Sequence, residues 1–595
     1  MPIDTALPTR LTGADFLLHD IDPSEIFTRE DLASDERQMA DTAARFMDKD
    51  VLPQLDRLEH QEEGLARKLF NQAAELGLLG IEVPEENGGL GLGKRAHIGV
   101  IEQLAGLGGF GITCSAHSGI GSQPLIYFGN AEQKARYLPK LASGEWMAAY
   151  CLSEAGSGSD ALGMKTKAVL SPDGKHYILN GVKMWITNAG WADLFTVFAK
   201  IDGQHVTAFL VERTFPGVST GREEHKLGIK SSSTRRLILE DVAVPVENVL
   251  GEVGKGAYIA FNILNFGRYS LGAAMVGPAR AQLGFATKYA QERQQFGRPL
   301  ASFGLIRQKL ADMAAKIYAT ESATYRTAGL IDELFATGAT VDSMNPPFAR
   351  ALDEFAVECS VLKVRGSEMF FEIADEALQI HGGYGFTEEF PAARALRDAR
   401  INRIFEGTNE INRLFIPTTL LRREQRGRFP LLQTALKVAA EITGTPPALP
   451  SADRLLDAQA LLGRAKKLVF LLAGIAGRTF GLKIGDEQEV LAPLADVVSE
   501  IYLGESAVLR ALKLRSRLAP EAAVAADLAT LSVNDSLGRI EAAARRVLEG
   551  CLRDDASFGQ QLKTVRLLLA WQPLNSIALR RRIADQITAR NGYPL

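Results

Sequence analysis

Apolar residues recur at three- and four-residue spacing through ERQMADTAARFMDKDVLPQL and ARKLFNQAAELGLLG, which predicts helices across residues 31–146, the second run stopping at Gly80. From Met147 to about Val249 the period shortens to that of strands. HYILNGVKMWIT, LFTVFAKI, VTAFLVE and RRLILEDVAV are separated there by the turn formers SPDGK and IDGQ. Helical spacing returns near Gly256 in SLGAAMVGPARAQLGFATKYAQERQQFG, GLIRQKLADMAAKIYATESATYRTAGLIDEL and ALDEFAVECSVLKVRGSEMFFEIADEALQI. Beyond Arg428, PLLQTALKVAAEITGTPPALPSADR holds a Pro-rich break, and another helical block reaches Leu595. The expected fold is mainly α with an inserted β domain: a lead segment (1–30), a helical domain (31–146), the β domain (147–255), a second helical domain (256–421) and a helical extension (422–595).

Composition adds a few exclusions. The 595 residues are 46% hydrophobic and 23% charged, as in ordinary globular domains, and a net charge of -4 leaves no overall electrostatic footprint for nucleic acid. Cys114, Cys151, Cys359 and Cys551 lie far apart, without zinc-site spacing or the density of a disulfide framework, so buried free thiols and no metal site are expected. MPIDTALPTRLTGADFLLHD has an acid at Asp4, no long apolar core and no Arg-rich, acid-poor bias; the expectation is a cytoplasmic protein. LVFLLAGIAG, from Leu468, is shorter than the ~20 residues of a membrane span and flanked by Lys466, Lys467 and Arg478, which suits a core helix.

Five stretches carry candidate chemistry. In YCLSEAGSGSDALG, Gly156 and Gly158 let the chain turn N–H groups toward an anion and Ser153, Ser157 and Ser159 add short donors, although a plain Gly/Ser loop reads the same way. It lacks the lysine of a phosphate-binding Walker loop and the strand-to-helix setting of a dinucleotide fingerprint. In KMWITNAG, strand alternation points Met184, Ile186 and Asn188 one way and Trp185 and Thr187 the other, where an indole and a hydroxyl could cover a flat heteroaromatic ring. QIHGGYGFTEEFPAARALRD breaks a helix with Gly382, Gly383 and Gly385, and ERQQFGRPL offers the fork of Arg293 and the face of Phe296; each is also ordinary helix-end chemistry. In NRIFEGTNEINRLF, Glu406 follows Ile404 and Phe405 and precedes Gly407, a reasonable place to keep a base.

The order YCLSEAGSGSD, KMWITNAG, KLGIKSSSTRRLILEDVAVP, ERQQFG, QIHGGYGF, IFEGTNEI resembles the acyl-CoA dehydrogenase family from about Asp31 to Leu421. The resemblance implies an N-terminal helical domain, a middle β-barrel and a C-terminal four-helix bundle, with FAD between barrel and bundle. Tyr150, Ser153 and Ser159 are then expected along the flavin, Ser159 also at the acyl-CoA, and Trp185 and Thr187 over the ring. Arg293, Phe296, Gln379, Gly382 and Gly383 are expected to hold the FAD of a partner subunit, which makes a homodimer the minimum unit, and Thr408 and Glu410 also to contact FAD. Glu406 matches the base that takes the α-proton, with its N–H among the donors to the thioester carbonyl; Asn265, Arg268, Phe405 and Gly407 complete the substrate contacts. Some relatives carry the base beside the arginine matching Arg268, but that neighbour is Gly267.

The extension resembles that of the very-long-chain branch, dimeric and membrane-associated, and FPLLQTALKVAAEI raises peripheral membrane contact beside an ordinary packed helix. TCSAHSGIG, from Thr113, has small residues where medium-chain relatives place a carboxylate, which suggests a deep acyl pocket. The resemblance implies α,β-dehydrogenation of long-chain acyl-CoA in fatty-acid β-oxidation, with electrons passed to an electron-transfer flavoprotein. An oxidase of the same fold and a scaffold that keeps the fold are the alternatives.

Overall fold

The computed structural model describes residues 12–106, 108–337, 347–442, 453–570 and 574–595. The core of the Pro-rich break, residues 444–451, and the first eleven residues of the lead segment lie outside the described residues.

The first domain is helical: α1 (Ser34–Phe46), α2 (Leu55–Glu59), α3 (Leu65–Glu75), α4 (Lys94–Leu104), α5 (Phe110–Ala116), α6 (Gln123–Phe128) and α7 (Ala131–Ala142). α3 ends before the expected Gly80. The Leu78 N–H reaches the Ala73 carbonyl and the Gly77 N–H the Ala74 carbonyl, a Schellman turn that puts Gly77 at φ +76° and therefore stops the helix there. α7 starts where Asn130 and Gln133 cap each other reciprocally.

The middle domain contains β1 (Ala148–Cys151), β2 (Lys167–Leu170), β3 (His176–Thr187), β4 (Leu194–Ile201), β5 (His205–Glu212), β6 (Val218–Thr220), β7 (Thr234–Pro245) and β8 (Val249–Leu250). They form one eight-stranded sheet in the order β6-β7-β3-β2-β4-β5-β8, with β1 parallel to β4. The sheet curls around Leu179, Phe195, Phe209, Val211, Leu237 and Val244, the barrel-like arrangement expected. LFTVFAKI is almost continuously buried because β4 is covered on both faces, one side facing this core and the other the helices around Leu138 and Ile259.

The second helical domain comprises α8 (Gly256–Ala274), α9 (Val276–Glu292), α10 (Gly304–Ala336), α11 (Pro347–Glu354), α12 (Ala356–His381), α13 (Pro391–Ile401) and α14 (Asn409–Gln425). The extension adds α15 (Leu431–Glu441), α16 (Arg454–Phe480), α17 (Gln488–Ser516), α18 (Ala522–Cys551), α19 (Asp555–Leu568) and α20 (Ser576–Arg590). α16 and the turn after it are long and apolar enough to cross a membrane by length and composition, but Leu468, Val469, Leu472 and Ala476 are buried in the same apolar core as Tyr318, Tyr325 and Val498. Bundle and extension thus share one core. All four cysteines are buried and unpaired.

Glu321, fully buried on α10, locks these parts together. It pairs with Arg510 of α17 at 2.6 Å, with Arg280 of α9 and with Arg29 of the lead segment at 3.7 Å, and accepts the Tyr593 hydroxyl of the C-terminus at 3.1 Å. The lead segment is strapped on elsewhere as well: Glu354 and Glu358 accept the N–H groups of Gly13 and Ala14, and Lys513 of α17 donates to the Ile26 carbonyl at 2.6 Å. Removing the charge of Glu321 takes away the carboxylate that Arg510 and Arg280 share with Arg29, leaving Glu30 and Glu102 as the remaining acids for the first two. Glu321→Gln is expected to destabilise the fold by about 3–5 kcal/mol, read as a lowered denaturation midpoint, with the extension and the bundle losing structure together.

Candidate functional site

The turn between α13 and α14 carries Glu406, and its backbone is unusual. Glu406 has φ +57° and Gly407 φ +78°. A left-handed glutamate is held only where its surroundings over-determine it, and such strain concentrates at functional sites. Asn412 supplies the restraint: its Nδ2 donates to the carbonyls of Gly407 at 2.9 Å and Thr408 at 3.0 Å. Thr408 caps α14 by accepting the Ile411 N–H at 3.2 Å, and the Glu406 N–H is not consumed by any hydrogen bond among the described residues.

The carboxylate sits in a space cleared for it. A Cβ added to Gly267 on α8 would collide with the Glu406 carboxyl group, so a side chain at that position would force the glutamate out of its present place. Glu406 Oε2 is shielded from solvent and accepts no hydrogen bond. Burial pushes the acid up to about 7, opposed by the positive charges of Arg268 and Lys363. Arg268 is itself buried, donating to Asn265 Oδ1 at 2.8 Å and lying 4.9 Å over the Phe415 ring. Tyr150 faces the same space, its phenol pushed well above its usual range by burial and then by the negative charge of Glu406; its hydroxyl reaches the Ala260 carbonyl of α8 at 3.3 Å. Glu406, Tyr150, Asn265, Arg268, Phe405 and Gly407 therefore come together, with Thr408 and the exposed Glu410 at the rim.

The Gly/Ser loop after β1 is stiff underneath and open above. Glu154 accepts the N–H groups of Lys165 at 2.6 Å and Thr166 at 3.0 Å and pairs at 2.8 Å with the fully buried Lys183. Ser157 does not belong to the open set: its hydroxyl is turned inward onto the carbonyls of Asp160 and Ala161, because it closes the loop on itself. Ser159, Gly156 and Gly158 are exposed, Ser153 is half-buried, and nothing approaches within 4 Å of where a Cβ would sit on either glycine.

The simple alternation expected in KMWITNAG is also broken. A bulge between Lys183 and Ile186 puts Trp185 at φ +57°, so Lys183 and Ile186 are buried while Met184 is only half-buried and the indole stands 55% exposed. Thr187 is half-buried at the end of β3, and the next residue, Asn188, donates to the Thr113 carbonyl of α5 at 2.9 Å, tying this strand end to the first domain.

Arg293, Phe296, Gln379, Gly382 and Gly383 form a second patch. α12 ends at His381, Gly382 turns at φ +62°, and no atom lies within 4 Å of a Cβ on Gly382 or Gly383. Arg293 stacks over Tyr384 at 5.7 Å, and Phe296 is 92% exposed. No hydrogen bond, ion pair or ring contact among the described residues joins this patch to Trp185 or Ser153. The geometry offers two half-sites, an exposed indole beside donor-bearing open backbone and, apart from it, a guanidinium with exposed aromatic and glycine surface.

Sequence reading missed Asn412, Lys363, Glu154 and Lys183. Lys363, Glu154 and Lys183 find their partners 29 to 46 residues away, so local pattern carried no signal for them, and Asn412 binds carbonyls only four and five residues back but reads in the sequence as an ordinary helix asparagine.

Four stretches match sequence profiles: residues 33–145 that of the acyl-CoA dehydrogenase N-terminal domain, 149–242 that of the middle domain, and 254–421 and 464–566 two profiles each described as the acyl-CoA dehydrogenase C-terminal domain. A probable acyl-CoA dehydrogenase of Bacillus subtilis (strain 168) is 44% identical over 583 residues, 98% of this chain and 98% of that protein. The mitochondrial very long-chain specific acyl-CoA dehydrogenase of Homo sapiens is 41% identical over 451 residues, 74% of this chain and 63% of that longer protein. The crystal structure of an acyl-CoA dehydrogenase complexed with FAD from Bacillus anthracis superposes with a TM-score of 0.96 at 46% identity, covering 98% of this chain and 100% of that one.

The raised pKa of Glu406 has a consequence for stability. Between its ordinary 4.5 and about 7 the folded protein keeps a proton that the unfolded chain has released, so stability falls as pH rises through that window. Glutamine imitates the protonated acid. Glu406→Gln is expected to stabilise the protein by about 1–3 kcal/mol at pH 8, a gain that fades near pH 5, measured by denaturation midpoints at the two pH values.

Proposed function

The chain belongs to the acyl-CoA dehydrogenase family, and from that premise we propose an FAD-dependent dehydrogenase that converts long-chain acyl-CoA to trans-2-enoyl-CoA in fatty-acid β-oxidation, with an electron-transfer flavoprotein as electron acceptor. The observation that carries the proposal is the Glu406 carboxylate: one oxygen unpartnered, shielded from water and raised to about 7, where a general base works best.

Tyr150, Ser153, Ser159, Trp185, Thr187, Thr408 and Glu410 are the residues of one copy that would hold FAD, and Arg293, Phe296, Gln379, Gly382 and Gly383 those of its partner in a homodimer. When bound, FAD supplies the acceptor for the hydride that leaves the β-carbon. Glu406 removes the α-proton onto its carboxylate as the α,β double bond forms. The Glu406 N–H, free of other acceptors, points to a role as donor to the thioester oxygen, where charge develops as that proton leaves. Arg268 and Lys363 keep a fraction of the buried acid ionised near neutrality. Gly267 leaves the carboxylate room, and Asn265 and Phe405 line its approach through Arg268 and the turn.

Chain length is supported by the space beyond Gly267. Ala274 lies seven residues further along α8, two turns down the same face, and lines a cavity of about 50 Å³ with Gly111, Ile112, Ser115, Met275 and Pro278, a largely apolar place for the far end of an acyl chain. The relative named for very long chains supports the same reading. Membrane contact is supported by α15, which buries Leu431, Ala435 and Val438 but leaves Leu432 and Leu436 51% and 68% exposed.

The test is an anaerobic visible titration of the flavin-loaded protein with acyl-CoAs of increasing length. Long-chain substrate should bleach the parent and leave Glu406→Gln yellow. Bleaching by none would favour the scaffold, and oxygen consumption without added acceptor the oxidase. Ser115→Leu should lower kcat/KM for long chains by about tenfold or more while sparing short ones.

A further inference from the structure

Beside the Glu406 turn stands Lys363, fully buried on α12. Its ammonium donates at 2.7 Å to Oδ1 of Asn409, the first residue of α14 and the third after Glu406. Asn409 Nδ2 in turn donates to Ser367 Oγ at 3.1 Å and to Glu368 Oε1 at 3.2 Å. Glu368 is gripped by the guanidinium of Arg413 at 2.8 and 2.9 Å, and Arg413 Nε reaches Asp496 on α17 of the extension at 2.8 Å. A continuous polar chain thus runs from the extension, through α14 and α12, to the edge of the carboxylate pocket.

We propose that Lys363 is a positioning residue for the base: through Asn409 it fixes the start of α14 and so the Glu406 turn, and its charge holds the buried carboxylate ionised. A lysine enclosed with one neutral hydrogen-bond acceptor is disfavoured unless a negative charge stands near. Glu406 is that charge. Burial pulls Lys363 down to about 7, and Glu406 is the first influence that opposes it. The groups facing the pair are Arg268 on α8, which repels the lysine, Glu368 on its own helix, Glu410 and Arg413 on α14, and Tyr150 on β1. Arg268 and Lys363 both act on the same carboxylate, each opposing the upward pull of burial.

The sign follows directly. Lys363 lowers the pKa of Glu406, so removing the charge raises that pKa and moves the acid limb of the activity profile to higher pH. The inference rests on Glu406 being the base. The experiment measures kcat/KM against pH for the holoenzyme and three variants: Lys363→Met, which removes donor and charge; Lys363→Gln, which keeps a donor to Asn409 without charge; and Lys363→Arg, which keeps both. In parallel, the infrared carbonyl band of protonated Glu406, identified by its loss in Glu406→Gln, is titrated in each. Expected are an upward shift of the limb and of the band by about 0.5–1 pH unit in Lys363→Met and Lys363→Gln, near-parent values in Lys363→Arg, and recovery of the Lys363→Gln rate at high pH. A uniform loss of rate with an unshifted limb and band, while Glu406→Gln is inactive, overturns the role of Lys363 alone. An active Glu406→Gln overturns the base assignment, and the Lys363 role with it.

Discussion

The half-buried carboxylate of Glu406, with one oxygen cut off from water and left without a partner, is the constraint on which its surroundings depend. An isolated buried acid stays protonated, and a fully paired one stops being a base. Glu406 lies between these limits, within walls drawn from remote parts of the chain. α8 contributes the void at Gly267 and the cation of Arg268, β1 the phenol of Tyr150, α12 the ammonium of Lys363, and the turn itself is pinned by Asn412. The left-handed backbone at Glu406 is held by the Asn412 hydrogen bonds to the carbonyls that follow it.

That arrangement demands rigid support, which the helical scaffold provides. The lead segment, α9, α10, α17 and the C-terminus converge on Glu321, and one apolar core runs from the bundle into the extension. The extension is therefore less an appendage than a second wall of the bundle. Its Asp496 and Glu500 pair with Arg413 and Arg365, on α14 and α12, which flank the base from behind. Buried pairs of this kind add little net stability compared with apolar packing, but they specify one register of helix against helix, and register is what a base placed on a turn requires.

The cofactor surfaces obey a different rule. Ser159, Trp185, Phe296, Gly382 and Gly383 are exposed, and Trp185 and Phe296 have positive φ. Apolar groups held open on strained backbone are unfavourable for an isolated chain and favourable only when covered.

The succession of helical, strand and helical periods in this sequence determined the three-layered order of domains, because the period of burial is a local property of each element. Motif order along the chain pointed to Glu406, Trp185 and the glycine turn at Gly382. Local pattern misplaced the end of α3, since a Schellman turn at Gly77 takes precedence over a later glycine, and it grouped Met184 with the buried Ile186 and Asn188, from which the bulge between Lys183 and Ile186 separates it. It was silent about Lys363, Asn412 and Glu154. Whether a lysine is a solvated surface charge or a buried partner of the base depends on what stands opposite it, and in this protein those partners lie 29 to 46 residues away or in another domain. The sequence by itself thus settled which elements form and which acid is offered. Only the tertiary structure decided how dry that acid is and which charges face it, because desolvation and Coulomb interaction act through space and not along the chain.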